Sequence, residues 1–164
     1  MLYLLDASAL INSPNFEFRA ENKYITTSLI FSELKEMSIK YIAENALAQG
    51  ILKIQDPSEE TIKKISENVS KHGFNKMSKQ DLSLIALASE FYDSKKEFKV
   101  LTDDYSIQNF LKLLKIPYNS ISQKGISRII SFSVKCRSCG KKFSPDTKNE
   151  ICDVCGSELT RRQS

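Results

Sequence analysis

Short apolar segments alternate with longer helical patterns along the first 120 residues. Compact apolar runs predict strands at residues 1–5, 23–27, 51–55, 98–101 and 117–121. Segments with apolar residues three and four apart, opened by residues that cap helices, predict helices at 7–11, 28–37, 39–48, 58–70, 78–92 and 104–115. This repeated strand-then-helix order predicts an α/β protein with a parallel sheet and helices on both of its faces.

All four cysteines lie near the carboxyl end, in the pattern C-x2-C-x12-C-x2-C. Each C-x2-C pair is typical of one side of a tetrahedral zinc site, and a glycine follows each pair at the point of the tight turn. The predicted ligands of a structural zinc ion are Cys136, Cys139, Cys152 and Cys155. The alternatives are two disulfides, four unconnected thiols or a redox-active pair.

Charge adds to this picture mainly at the carboxyl end. The 164 residues include 24 Lys and Arg against 20 Asp and Glu, a formal net charge of +4. Residues 131–164 hold seven basic and four acidic side chains, so most of the excess positive charge lies in the cysteine-containing segment.

The apolar runs are shorter than the roughly 20 residues that cross a bilayer, and no basic leader precedes Asp6. We therefore expect a cytoplasmic protein with reduced thiols.

Acidic residues fall where predicted strands end. Asp6 ends the first strand, and Asp103 and Asp104 follow the strand at 98–101. Ligands of parallel α/β sheets bind at the carboxyl ends of strands, so we expect these acids at one edge of the sheet. The structural alternative is that Asp6, and one of the two later acids, caps the helix that follows it.

Two further acids lie among apolar residues on predicted helices. Glu33 falls on the stripe of Ile30, Leu34 and Met37, which predicts a core-facing position that is costly unless a metal or a basic group pairs with it. Asp81 lies in a similar apolar row. The alternatives are a structural salt bridge for Glu33 and, for Asp81, a capping box formed by its Ser-Lys-Gln-Asp sequence.

Together these acids predict a metal-dependent active site. A cluster of carboxylates repels itself unless divalent cations bind it, and hard oxygen ligands favour Mg²⁺ or Mn²⁺ over zinc. Such ions lower the pKa of a bound water and stabilise the leaving oxygen of a phosphodiester, so the predicted reaction is phosphodiester hydrolysis. The predicted catalytic and metal-binding residues are Asp6, Glu33, Asp81, Asp103 and Asp104.

The order of these motifs resembles the PIN-domain nucleases, a family of metal-dependent endoribonucleases. The matching segments are Leu-Leu-Asp6-Ala-Ser-Ala, Ser-Glu33-Leu, Ser-Lys-Gln-Asp81 and Leu-Thr-Asp103-Asp104. The resemblance implies a three-layer α/β/α fold with a central parallel sheet and a site of three or four acids. Asp6, Glu33 and Asp81 match the first three acids. The family's spacing after the threonine favours Asp104 as the fourth, with Asp103 kept as an alternative.

A PIN domain followed by a four-cysteine ribbon is similar to a narrower group, the archaeal Nob family of ribosome-assembly nucleases. The segment Thr-Asp-Asp-Tyr-Ser-Ile-Gln-Asn, from Thr102 to Asn109, adds to this resemblance. It implies cleavage of single-stranded pre-rRNA at the 3′ end of small-subunit rRNA. The implied partners are the pre-small-subunit particle and a KH-type assembly factor. The alternatives are a toxin-like PIN ribonuclease acting on tRNA or mRNA, and a non-catalytic RNA-binding scaffold.

The chain is predicted to divide into a nuclease domain at 1–122, a connector at 123–134, a zinc ribbon at 135–160 and a basic tail at 161–164. Basic residues before Asp81 and on the ribbon are expected to contact RNA phosphates, although the loop at 71–79 also fits an ordinary solvated surface. These residues are Lys71, Lys76, Lys79, Lys135, Arg137, Lys141 and Lys142.

Overall fold

The chain forms two sheets, described here from a computed structural model that covers residues 1–13, 16–74, 77–121 and 132–163. The strands in these ranges are β1 (Leu2–Leu5), β2 (Lys23–Thr26), β3 (Leu52–Ile54), β4 (Lys99–Leu101), β5 (Tyr118–Asn119), β6 (Phe132–Cys136), β7 (Lys142–Phe143) and β8 (Leu159–Gln163). The helices are α1 (Ala7–Ile11), α2 (Ser28–Glu33), α3 (Met37–Ala48), α4 (Glu59–Lys71), α5 (Lys79–Asp93) and α6 (Tyr105–Leu113).

The larger sheet is the parallel sheet that the strand–helix alternation predicts. Its five strands are all parallel and run in the order β3-β2-β1-β4-β5. The chain builds outward from β1 to β3, then returns to place β4 on the other side of β1. A crevice forms at the carboxyl ends of strands where the order reverses in this way. The fold therefore places the ends of β1 and β4, and the acids that follow them, side by side.

Helix α5 forms the centre of the core. The five residues from Leu84 to Ala88 have no exposed surface, so this helix is apolar around its whole circumference rather than along one stripe. Phe110 of α6 is equally buried and packs edge-on against Phe74 with ring centroids 5.4 Å apart. Asp81 therefore lies at the first turn of a helix that the surrounding core holds firmly in place.

The helix predicted at 28–37 is shorter than expected. Helix α2 ends at Glu33, because Leu34 leaves helical geometry at φ −70° and ψ 86° and turns its side chain into the core. Met37 then begins α3 and is 79% exposed. The predicted core-facing stripe is therefore wrong: it joined residues of two different helices, and the acid on it is exposed.

The smaller sheet is an antiparallel ribbon with the order β7-β6-β8. Its pairing runs from Phe132 opposite Gln163 to Cys136 opposite Leu159. The sheet thus reaches beyond the predicted limits of 135–160 at both ends and includes part of the predicted tail. Most of the predicted connector at 123–134 lies outside the described residues, which omit 122–131.

The ribbon contacts the nuclease domain through Arg161. Its guanidinium donates from Nη1 to the carbonyl of Gly73, 3.4 Å away in the loop after α4, and from Nη2 to the carbonyl of Thr147 at 3.4 Å.

Among the described helices, none has the length and apolar character needed to cross a membrane.

Candidate active site and metal centre

Asp6 occupies a buried position directly after β1. Its backbone N–H donates to the carbonyl of Leu101 at 3.0 Å, which holds it beside the end of β4. Its Oδ2 accepts hydrogen bonds from Ser8 Oγ at 2.5 Å and Thr102 Oγ1 at 2.7 Å. The side chain makes no capping hydrogen bond to α1, so the structural alternative of a helix cap does not explain this buried carboxylate.

The electrostatic environment of Asp6 disfavours a bare negative charge. Burial raises the pKa of Asp6 most strongly, the hydrogen bonds from Ser8 and Thr102 oppose this, and the charge of Asp81 raises the pKa further. The net direction is upward. The protein therefore holds a carboxylate in a place where a nearby cation would stabilise its ionised form.

Asp81 combines a structural role with an interaction among the acids. Its Oδ2 accepts from the N–H of Ser78 at 2.8 Å while its own N–H donates to Ser78 Oγ at 3.1 Å, so the capping box is present. Burial is the largest cause of its raised pKa; the Ser78 hydrogen bonds lower the value, and the charge of Asp104 raises it. The cap uses one carboxylate oxygen of Asp81. The negative charge of Asp81 also raises the pKa of Asp6.

Asp103 and Asp104 point in different directions. Asp103 is 4% exposed, and its Oδ1 accepts from Ser120 Oγ at 2.5 Å and from the N–H of Ile121 at 2.9 Å. Asp104 caps α6 by accepting at Oδ1 from the N–H of Ser106 at 2.6 Å, and it is half-buried. The charge of Asp104 therefore acts on Asp81, and that of Asp81 acts on Asp6, so these three acids form a series. Asp103 is instead held by the residues that follow β5.

Ser8 and Thr102 are part of the site although the sequence reasoning assigned them no role. Besides holding Asp6, Thr102 Oγ1 accepts from the N–H of Asp104 at 3.1 Å, and Ser8 Oγ accepts from the N–H of Asp103 at 3.0 Å. Two hydroxyls thus tie the end of β1 to the turn after β4. The available signal was the Asp-x-Ser spacing at the first acid and the threonine directly before the acidic pair.

Glu33 lies apart from these buried acids in the structure. It is the last residue of α2 and is exposed, and it is not among the main influences on the pKa of Asp6 or Asp81. The expectation of a buried acid that needs a partner is therefore wrong for Glu33. Its assignment as a metal ligand stays a prediction.

The four cysteine sulfurs come together as a tetrad, all within 4.8 Å of one another. The shortest separations are 3.3 Å between Cys136 and Cys155 and 3.7 Å between Cys139 and Cys152. These exceed a disulfide bond of about 2.05 Å. They are close to the spacing of about 3.8 Å that tetrahedral Zn–S bonds produce. The tetrad therefore fits zinc, and the disulfide alternative is wrong.

Backbone groups support the sulfurs as the knuckle motif requires. The N–H of Cys139 donates to the sulfur of Cys136 at 3.5 Å, and the N–H of Val154 donates to that of Cys152 at 3.4 Å. Gly140 has a φ of +73°, the left-handed conformation expected after a C-x2-C pair. These N–H groups favour thiolates, the form that binds a metal.

The pKa values of two of the four thiols are shifted in opposite directions. The N–H of Lys141 favours the thiolate of Cys139, but neighbouring sulfurs outweigh it and raise the pKa of Cys139 to about 12. The backbone and hydroxyl of Ser157, followed by Cys136, lower the pKa of Cys155 to about 6. This division between neighbours is typical of like charges that share a site. A divalent cation in the tetrad would favour the thiolate form of Cys139.

Most of the predicted RNA-contacting residues lie on the surface. Lys141 is also exposed, but its ammonium forms a salt bridge with Asp153 at 2.8 Å and lies 5.2 Å from the ring centre of Phe143. This lysine stabilises the ribbon rather than projecting freely. The exposed members are Lys71, Lys79, Arg137, Lys141 and Lys142, Lys135 is half-buried, and Lys76 lies outside the described residues. Phe74 is buried against Phe110 and anchors the loop.

The raised pKa of Asp6 predicts a pH-dependent stability difference between the wild type and Asp6→Asn in EDTA. At neutral pH the variant should be more stable by about 1 kcal/mol, because it removes an unfavourable buried charge. As the pH falls through the folded-state pKa of Asp6, the wild type gains a proton and the difference should shrink. Urea unfolding from pH 7 toward pH 4 measures this. A difference that grows on acidification would contradict the prediction.

Comparisons with known proteins agree with this architecture. Residues 3–91 match the family described as the PIN domain of ribonuclease. The Endoribonuclease Nob1 of Methanothermobacter thermautotrophicus is 35% identical, over 99% of this chain and 94% of the relative. That of Methanocaldococcus jannaschii is 37% identical, over 97% of this chain and 76% of the relative. The Ribonuclease VapC1 of Thermoplasma acidophilum is 31% identical, over 98% and 78% respectively.

Proposed function

The chain belongs to the PIN-domain ribonuclease family, and we propose that it is the endoribonuclease that cuts single-stranded pre-rRNA at the 3′ end of small-subunit rRNA during ribosome maturation. The supporting observation is the similarity to Nob1 endoribonucleases over nearly the whole chain, ribbon included. Its place of action would be the pre-small-subunit particle, with a KH-type assembly factor as a further partner.

In this proposal Asp6, Asp81 and Asp104 hold Mg²⁺ or Mn²⁺, with Glu33 as an outer ligand on the exposed end of α2. The metal supplies an activated water and stabilises the leaving oxygen. Ser8 and Thr102 orient Asp6 through their hydrogen bonds to Oδ2, leaving Oδ1 for the cation. Burial lowers the local dielectric, which strengthens every charge interaction at the reacting phosphate.

The same proposal gives Asp103 and Asp104 different roles, and the two asparagine variants should separate them. Asp104→Asn should lower the cleavage rate at saturating RNA by about a hundredfold, because its charge is part of the series with Asp81. Asp103→Asn should lower stability more than Asp104→Asn, since its buried carboxylate binds Ser120 and Ile121. Cleavage kinetics and thermal melts measure the two effects. The reverse ranking would make Asp103 the metal ligand.

The ribbon is proposed to hold a structural zinc ion and to contact the RNA backbone. The zinc would be bound by the four cysteines, which leave no open position for chemistry. Exposed Arg137 and Lys142 on the ribbon, and Lys71 and Lys79 near Asp81, are the proposed phosphate contacts. Such contacts position an RNA without reading its sequence.

A cleavage assay tests the proposal. The zinc-loaded protein is incubated with a labelled RNA that spans the small-subunit rRNA 3′ junction, with Mn²⁺ or with EDTA. One metal-dependent cut at the junction, lost in Asp6→Asn, is expected. Tight binding without a cut under every metal condition would instead favour the non-catalytic scaffold.

The similarity to Ribonuclease VapC1 favours a second candidate, a toxin-like ribonuclease that acts on tRNA or mRNA. Both candidates use the same acids and differ only in the RNA. The assay separates them when tRNA and an unstructured mRNA are added as competing substrates. Faster cutting of either competitor than of the rRNA junction would favour this second candidate.

A further inference from the structure

A cavity of about 530 Å³ lies on one face of the parallel sheet, and its lining includes Ile121, which binds Asp103. Its floor includes Tyr3, Leu101 and Asn119. These residues share a face because the register pairs Leu5 with Leu101 and Leu101 with Asn119, and Tyr3 is two positions before Leu5. The volume falls within the range of about 300–1,000 Å³ that is typical of small-ligand sites.

The cavity is joined to the acidic site by hydrogen bonds. The carbonyl of Asn119 accepts from the N–H of Thr102 at 3.2 Å, and Thr102 in turn donates to Asp6. The N–H of Ile121, at the edge of the cavity, donates to Asp103 Oδ1 at 2.9 Å. A ligand in the cavity would therefore lie next to the turn that carries Asp103 and leads into α6.

One wall of the cavity is aromatic. The rings of Tyr3 and Tyr24 stack with centroids 5.6 Å apart and an interplanar angle of 25°. Phe16 meets Tyr24 edge-on at 6.1 Å, which fixes the wall from the other side. Tyr3 is half-buried, so part of its ring remains accessible to a planar ligand. Aromatic faces of this kind are the usual stacking partners of unpaired bases.

Several polar side chains line the cavity. The hydroxyl oxygen of Ser13 is buried and has no hydrogen-bond partner among the described residues, an arrangement that costs stability unless another group satisfies it. The carboxamides of Asn12 and Asn119 also face this cavity, and each can donate and accept. The edges of nucleobases present the same mixture of donors and acceptors.

We propose that this cavity receives one unpaired base of the RNA substrate, adjacent to the bond that is cut. The proposal rests on the proposed function and names a part of the substrate that the site would recognise. The lining contains one acidic and one basic residue, Glu17 and Arg19, so it suits a neutral base rather than a phosphate. A base in this position would exclude duplex RNA, whose bases are stacked and paired.

The first test measures binding in EDTA, where no cleavage occurs. Short single-stranded RNAs carrying 2-aminopurine at successive positions are titrated with the protein. Quenching of its fluorescence is expected at one position, and Tyr3→Leu should weaken that quenching while the exposed Tyr92→Leu on α5 leaves it unchanged. Equal quenching at all positions, or equal effects of both variants, would overturn the proposal.

The second test uses an RNA that the wild type cuts at one bond. Removing the base at the position identified above should lower kcat/KM by about tenfold. Asn119→Ala removes only the side chain and leaves the backbone hydrogen bond to Thr102 intact. Removing the base should lower kcat/KM less in this variant than in the wild type, because the variant has already lost the contact between Asn119 and the base. If the wild type cuts the RNA equally well with an abasic site at any position, the base-binding cavity is wrong, but the proposed function is not affected.

The two proposals fail in different ways. If the wild type cuts no RNA with any divalent metal, the proposed function is wrong, and the quenching in EDTA still decides the cavity. If Tyr3→Leu lowers the melting temperature sharply, Asn119→Ala carries the test, since Asn119 is exposed.

Discussion

Asp6→Asn is expected to lower RNA cleavage by about a hundred- to a thousandfold and to abolish the stabilisation that Mn²⁺ gives the wild type. The reason is that Asp6 is the most buried of the three acids proposed to hold the metal, directly after β1, and is affected by the charge of Asp81. Asparagine keeps the size of the side chain and an oxygen that can accept from Ser8 and Thr102. It removes only the charge. Cleavage rates and melting temperatures with and without Mn²⁺ measure both effects.

The matched control is Asp93→Asn, the same chemical change at an exposed residue at the end of α5, opposite the site. It should leave cleavage and the Mn²⁺ effect unchanged. If Asp6→Asn cleaves RNA at the same rate as the wild type, the buried acids do not hold the catalytic metal. A Mn²⁺ effect that persists in Asp6→Asn would place the stabilising ion elsewhere.

Cys152→Ala is expected to unfold the ribbon while the parallel sheet stays folded. The ribbon is a three-stranded sheet with few buried apolar side chains, and structural zinc in such modules contributes about 10–16 kcal/mol. Cys152 is 3% exposed and supplies one of the four sulfurs, so its loss leaves an incomplete ligand set. Limited proteolysis followed by mass spectrometry should show new cuts within residues 132–163 and none in β1 to β5.

Ser138→Ala is the control, since this exposed residue lies between two ligands and supplies none. Removing zinc from the wild type with a strong chelator should reproduce the Cys152→Ala pattern. An intact ribbon after chelation would mean that hydrogen bonds and packing alone fold this module. If the ribbon of Cys152→Ala resists proteolysis but that of the chelated wild type does not, three sulfurs still hold the metal.

Local patterns were sufficient for the parts of the molecule that depend on neighbours in sequence. The capping box at Ser78 and the glycine turns after each cysteine pair follow from residues within four positions of one another, and the structure confirms them. The parallel sheet follows from the alternation of strands and helices, because parallel strands require a crossover between them. These features tolerate errors of one or two residues in the predicted boundaries.

Glu33 shows where local patterns fail. Its stripe has the right spacing for one helix, but the turn at Leu34 is favoured by burial of that leucine against the core. Periodicity cannot reveal this, since the energy comes from residues distant in sequence. Ser8 and Thr102 are a similar case: each is an ordinary residue alone, and their 94-residue separation closes only when β1 and β4 pair.

Composition, spacing and motif order were thus enough to predict an α/β nuclease domain and a cluster of four cysteines, which are confirmed, whereas the metal-binding acids stay a prediction. Each depends on residue type or on short-range geometry that any compact fold preserves. Tertiary structure alone separated Asp103 from Asp104, buried Asp6 between two hydroxyls and opened the aromatic cavity. Those outcomes depend on which strands are neighbours and which side chains lose water, and both are properties of the whole folded chain.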